Sequence, residues 1–206
     1  MIARGNRRRV LALSDQTVPY VYSPAVKERF GDVDFIAGCG DLPRDYLEYV
    51  VSLLDRPLFY VPGNHDPDDY HVPGGQSVDG AFARHESLLI AGAGGSIRYK
   101  PPGLHQYTQR QMYQRVLMML PRMLIRRLTR GRGVDLFIAH ASPFGVQDAR
   151  DPAHIGFKAF HGVIRLARPR YFIHGHTHIH RNLERSETQV GDTCVVNVYP
   201  ERLVEW

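Results

Sequence analysis

The sequence predicts an α/β fold, and three observations carry that prediction. Short β-rich runs alternate with longer helical stretches, five of the runs end on side chains capable of chemistry, and Gly and Pro punctuate the turns. The length and composition agree: 206 residues with 43% hydrophobic and 23% charged residues fit one soluble globular domain and exclude a disordered, collagenous or membrane-spanning chain.

The first run, residues 9–13, reads RVLAL and leads into Ser14-Asp15; the second, 33–37, leads into Gly38-Cys39-Gly40-Asp41. Both read as buried strands that stop at a carboxylate. The run 58–61 leads into Pro62-Gly63-Asn64-His65-Asp66, 136–139 into His140, and 171–173 into His174-Gly175-His176-Thr177-His178. Two further strands are expected at 88–91 and 194–198. Helices are expected at 24–30, 45–54, 106–129 and 152–167. In the third of these, Tyr113, Val116, Leu117, Leu120, Leu124 and Leu128 follow the spacing of an apolar stripe, and Pro121 is expected to kink or split the helix.

In an open α/β sheet, the carboxyl ends of adjacent strands border the crevice where ligands bind. The residues collected there are two aspartates, an asparagine and at least three histidines. Carboxylate and imidazole together suit Mn, Fe or Zn, and Asp41 is the natural bridge between two cations.

Gly40-Asp41, Gly63-Asn64-His65-Asp66, His140 and Gly175-His176-Thr177-His178, in that order, resemble the motifs of the calcineurin-like metallophosphoesterases, over Leu11 to about Val198. The resemblance implies a two-sheet β-sandwich flanked by helices, an αββα arrangement, with a binuclear centre at one end. It implies a metal-dependent phosphoric ester hydrolase that opens a phosphodiester, pyrophosphate or monoester bond by attack of metal-bound hydroxide. Carried over by position, one ion is held by Asp15, Asp41 and His178 and the other by Asp41, Asn64, His140 and His176. His65 is then the general acid and Asp66 the carboxylate that orients it. The chain departs from the family at Asp15-Gln16-Thr17, where an Asp-x-His is usual. Thr17 is a possible replacement ligand, and the first ion is expected to bind weakly.

Other features admit plainer readings. His71, His85, His105, His154 and His161 match no motif and read as structural, and Gly92-Ala93-Gly94-Gly95 as a tight turn. Arg44 and Arg98 are candidates for gripping a substrate phosphate. The two cysteines, Cys39 and Cys194, read as buried thiols in a reducing cytoplasm, and no export signal is expected.

The net charge of +5 is unevenly spread: residues 87–134 contain nine cations and no acid, which leaves 17 cations against 21 acids elsewhere. A one-signed segment points to an anionic partner. Its helix, a basic insertion at about 104–132, reads as an amphipathic core helix with a basic solvent face; the alternatives are a substrate lid and a helix lying on an anionic membrane. Substrate expectations follow: a phosphorylated small molecule or lipid ahead of nucleic acid, for which the segment has few stacking aromatics. A catalytically weakened phosphate- or membrane-binding module is the rival reading.

Overall fold

The structure, a computed structural model, describes residues 7–101, 103–178 and 186–206. In chain order its first half holds β1 (Arg9–Leu13), α1 (Ala25–Phe30), β2 (Phe35–Gly38), α2 (Arg44–Leu54), β3 (Leu58–Tyr60), β4 (Gly75–Ser77), β5 (Phe82–His85), β6 (Leu88–Ala93) and β7 (Ser96–Ile97). The second half holds β8 (Gln106–Tyr107), α3 (Gln109–Arg130), β9 (Leu136–Ala139), α4 (Phe160–Gly162) running into a π-helical turn (Val163–Ala167), β10 (Tyr171–His174), β11 (Glu187–Val190), β12 (Thr193–Asn197) and β13 (Glu201–Glu205).

Two sheets form. The first has the order β13-β1-β2-β3-β4 and the second β11-β12-β10-β9-β6-β5, while β7 and β8 make a small ribbon. The inner strands of both sheets are parallel; β13, β11 and β5 are antiparallel edges. Alternation along the strands explains the layering. Val10, Ala12, Phe35, Ala37 and Phe59 of the first sheet pack against Ile90, Leu136, Ile138, Ile173 and Val196 of the second. The opposite faces, Leu11, Leu13, Ile36 and Leu58 on one side and Phe137, Phe172 and Val195 on the other, are covered by α1–α2 and by α3–α4 respectively. This is the expected mixed fold of two sheets flanked by helices.

Two expectations need correction. Residues 152–159 are not helical; the helix begins at Phe160. Asp151 accepts from Ala153 N–H and from His154 Nδ1, and Phe157 pairs with Pro143 as an isolated bridge, so this backbone bonds locally and to its neighbour instead of into a helix.

The second correction is to the phase of α3. The helix starts at a Thr108–Gln111 capping box and continues unbroken through Pro121. Its buried residues are Met112, Val116, Met119 and Met123, whereas Tyr113, Leu117, Leu124 and Leu128 of the expected stripe are exposed. The arginines account for the rotation. Arg115 pairs with Asp79 and Arg126 with Asp135, each largely shielded from solvent, and these anchors turn the methionine face onto the sheet. Cys39 is buried and Cys194 only partly so. Among the described residues, no helix is long and apolar enough to cross a membrane.

Candidate metal centre

The strand ends are shaped by unusual backbone. Asp15 has φ of 63°, and Gln16 N–H closes a three-residue turn on Ser14 C=O at 2.7 Å. His176 repeats the device: φ of 63° and Thr177 N–H on Gly175 C=O at 2.7 Å. Such turns are strained for a residue with a Cβ and persist where the surroundings over-determine them. Here the two turns lock together, because His176 N–H donates to Asp15 Oδ2 at 2.8 Å and Ser14 Oγ–H donates to the same oxygen. Gly175 permits the contact: a Cβ there would lie 1.7 Å from Ser14 Oγ and 2.3 Å from Asp15 Oδ2.

Asp41, with φ of 56°, follows β2 and faces the loop after β3. His65 N–H donates to Asp41 Oδ1 at 2.8 Å. Asp66 Oδ2 accepts from Asp41 N–H at 2.9 Å and Gly63 N–H at 2.7 Å, so the Asp66 carboxylate ties the two loops together. Burial raises the Asp66 pKa above the usual carboxylate value despite these bonds.

His140 ends β9 with no exposed surface. Its Nδ1–H donates to Cys39 C=O at 2.8 Å, which turns Nε2 toward Asn64 Oδ1 at 3.1 Å and Asp41 Oδ2 at 3.3 Å. His176 Nε2–H donates to Ala153 C=O at 2.8 Å, leaving its Nδ1 free. Ligand atoms of Asp15, Asp41, His140 and His176 all lie within 4.8 Å of one another.

Burial opposes charge on both Asp41 and His140, but their mutual attraction wins, holding the carboxyl down at about 2 and the imidazole up at about 9. Burial and the neighbouring charge of His140 push His176 the other way, to about 3. Asn64 Nδ2 is buried without a hydrogen-bond partner, while Asn64 Oδ1 faces the cluster. Two carboxylates, two imidazoles and an amide oxygen, with no thiolate, form a donor set that fits a divalent transition metal.

A family model described as calcineurin-like phosphoesterase matches residues 27–180. The chain belongs to that family. Among solved structures, this calcineurin-like phosphoesterase resembles TT1561 of Thermus thermophilus, with TM-score 0.62 and 17% identity over 93% of this chain and 88% of that one. Looser likenesses are to the calcineurin-like phosphoesterase YfkN from Bacillus subtilis (TM-score 0.44, 9% identity, 97% and 90% covered) and a Vps29 single mutant from Entamoeba histolytica (0.43, 14%, 92% and 72%). At these identities the first likeness speaks to fold alone, and the other two carry no argument. No curated protein matches in sequence.

A cavity of about 330 Å³ brings together Asp15, Asp41, Asn64, His65, His176 and His178 of this phosphoesterase. His178 is half exposed; its Nε2 lies 3.7 Å from Asp15 Oδ1 and its ring stacks on Tyr199. Thr17 does not line this cavity, and the side-chain amide oxygen of the neighbouring Gln16 accepts from Tyr199 O–H. Among the described residues no hydrogen bond joins Asp66 to the His65 ring; Asp66 Oδ2 is engaged by two backbone N–H groups.

Both arginine candidates make contacts within the chain, and neither lines the 330 Å³ cavity. Arg98 bonds Gln106 C=O and Gln111 Oε1. Arg44 pairs with Asp69 beside a second cavity of about 380 Å³ that shares Asp41 and His65.

Sequence reasoning missed Tyr99, Ala153 and His154, which complete the cavity wall. His154 read as structural, yet its ring packs 4.7 Å from that of His176 and its Nδ1 is held by Asp151 Oδ1 at 2.7 Å. The Asp151-x-x-His154 spacing was the available signal, masked by the helix expected over that stretch.

Proposed function

We propose that this calcineurin-like phosphoesterase hydrolyses phosphate esters with two divalent transition-metal ions, Asp41 bridging them. Asp15, Asp41 and His178 would hold one ion, and Asp41, Asn64, His140 and His176 the other. The observation that carries this reading is the convergence of four ligand atoms from strand ends of both sheets within 4.8 Å. The first site would be the weaker, because Thr17 stands where the family usually has an imidazole, it is not among the residues lining the cavity, and His178 is half exposed.

When bound, such ions supply Lewis acidity to a phosphoryl oxygen and lower the pKa of water. The chain's own residues do the rest. Cys39 C=O fixes the His140 tautomer and Asp66 holds the loops that present Asp41 and Asn64. His65, its backbone anchored on Asp41 and its side chain at the cavity, would give a proton to the leaving oxygen. His154, held by Asp151, and Tyr99 would border the substrate.

The test uses bis(p-nitrophenyl) phosphate and p-nitrophenyl phosphate, with added Mn and after chelation. Hydrolysis should require the ion, and Asp41→Asn should lower kcat by about a hundredfold or more while circular dichroism stays unchanged. A folded Asp41→Asn protein with near-parental turnover overturns the bridging role. The departure at Thr17 favours one other reading, a phosphate-binding module without turnover; metal-dependent phosphate binding with no product from either ester would establish it.

A further inference from the structure

We infer that the outer face of α3 is a docking surface for an anionic lipid bilayer. With 3.6 residues per turn, Tyr113, Leu117, Pro121, Leu124 and Leu128 fall in one row along the helix, and Met118 and Ile125 lie beside it. The row is open to solvent: Leu117 is 66% exposed, Met118 78%, Ile125 68% and Leu128 88%. A contiguous apolar strip of this length on a protein surface marks an interaction site. The helix already has a complete core contact through its methionine face, so the strip is a second apolar face.

Charge selects the occupant. Residues 87–134 contain no acid, and Arg110, Arg122 and Arg130 are exposed on this helix. Beside its C-terminal half is a cleft of about 490 Å³ whose lining includes Arg84, Glu86, Arg122, Ile125, Arg126 and Arg130. Arg126 is engaged by Asp135 and Glu86 by Arg8, whereas Arg84, Arg122 and Arg130 have no carboxylate partner among the described residues. Arg122 lies over the Phe82 ring, 4.5 Å from its centroid, and so keeps its charge without an acid. Apolar side chains bordered by guanidinium groups that lack a carboxylate partner match acyl chains beneath a phosphate headgroup layer. A second copy of this chain would complement the leucines but set these arginines against their own kind. The helix is too polar to span a membrane, which leaves it in the plane of the interface.

The experiment is flotation of the full chain with phosphatidylcholine vesicles, with and without phosphatidylglycerol, alongside sedimentation of the protein alone. The parent should float with the anionic vesicles and progressively less as salt is added. Arg122→Gln combined with Arg130→Gln should weaken partitioning about thirtyfold, and Leu117→Gln combined with Leu128→Gln at least about tenfold, both with unchanged circular dichroism. The four positions are exposed, so folded variants are expected. Failure of the parent to float overturns the inference, as does equal flotation on neutral vesicles. A parent dimer that the leucine pair dissolves, without vesicle binding, would assign the face to self-association and also overturn it.

Discussion

His174 separates two roles that its sequence neighbours blur. It lies two residues before a metal-ligand candidate, yet it is fully buried at the end of β10 with Nε2 2.8 Å from Gln147 Oε1, outside the cavity. Burial depresses its pKa from 6.5 to about 4, so the folded state keeps the ring neutral where the unfolded chain would protonate it. Its contribution is therefore complete above pH 6.5 and is lost as pH falls from 6.5 through about 4. In metal-free protein the loss should be on the order of 3 kcal/mol across that window, and His174→Gln should flatten the slope, read as urea midpoints at several pH values. Equal slopes in parent and variant would contradict the assignment. The family resemblance picked His176 and His178, not His174, out of the motif, and both line the cavity; the residues alone show only histidines gathered at a strand end, because the backbone turns that aim them are not encoded locally.

At the scale of the element, α3 shows the limit of periodicity. Its helical character and approximate length were legible, but the sequence carries two apolar rows, and which one is buried depends on Asp79, well before the helix, and on Asp135, just after it. Met123→Ala should cost about 2–5 kcal/mol, because it empties a fully buried position between α3 and the second sheet. Leu128→Ala should change stability by no more than about 0.5 kcal/mol, since that side chain packs against little. Chemical denaturation of the two variants checks the phase directly: the expectation from sequence gives the opposite ranking. Residues 152–159 failed for a related reason. Their composition tolerates a helix, but local bonds from Asp151 and the bridge to Pro143 decide otherwise.

For the whole molecule, the strand ends and the two-sheet layering were legible, and the strand order within each sheet was not. The buried runs could be read as strands because each is continuously apolar, whereas β4, β11 and β13 are short or mixed in polarity and escape that signal. Sheet order adds contacts between distant segments that no local pattern records. The candidate ligands divide between the sheets, with Asp15, Asp41 and Asn64 following strands of the first and His140 and His176 following strands of the second. A bound ion should thus stabilise the packing of one sheet on the other, by about 2.7 kcal/mol at a hundredfold excess over Kd. The thermal midpoint should rise with added Mn in one cooperative transition, and Asp41→Asn should abolish most of that rise. A metal-independent midpoint in the parent would remove the link between the centre and the sandwich.

The position of β1 sets a schedule for biosynthesis. It lies between β2 and β13, so β1 receives one of its two neighbours only after every other described strand has been translated. Until then the nascent chain presents β1 with an open, apolar edge, a template for pairing with other unfinished chains. Arg8 and Arg9, which later pair with acids including Glu86 and Glu205, introduce charge at the start of that edge throughout the wait. The same arginines would thus oppose misassembly before they serve as ion-pair partners in the finished fold.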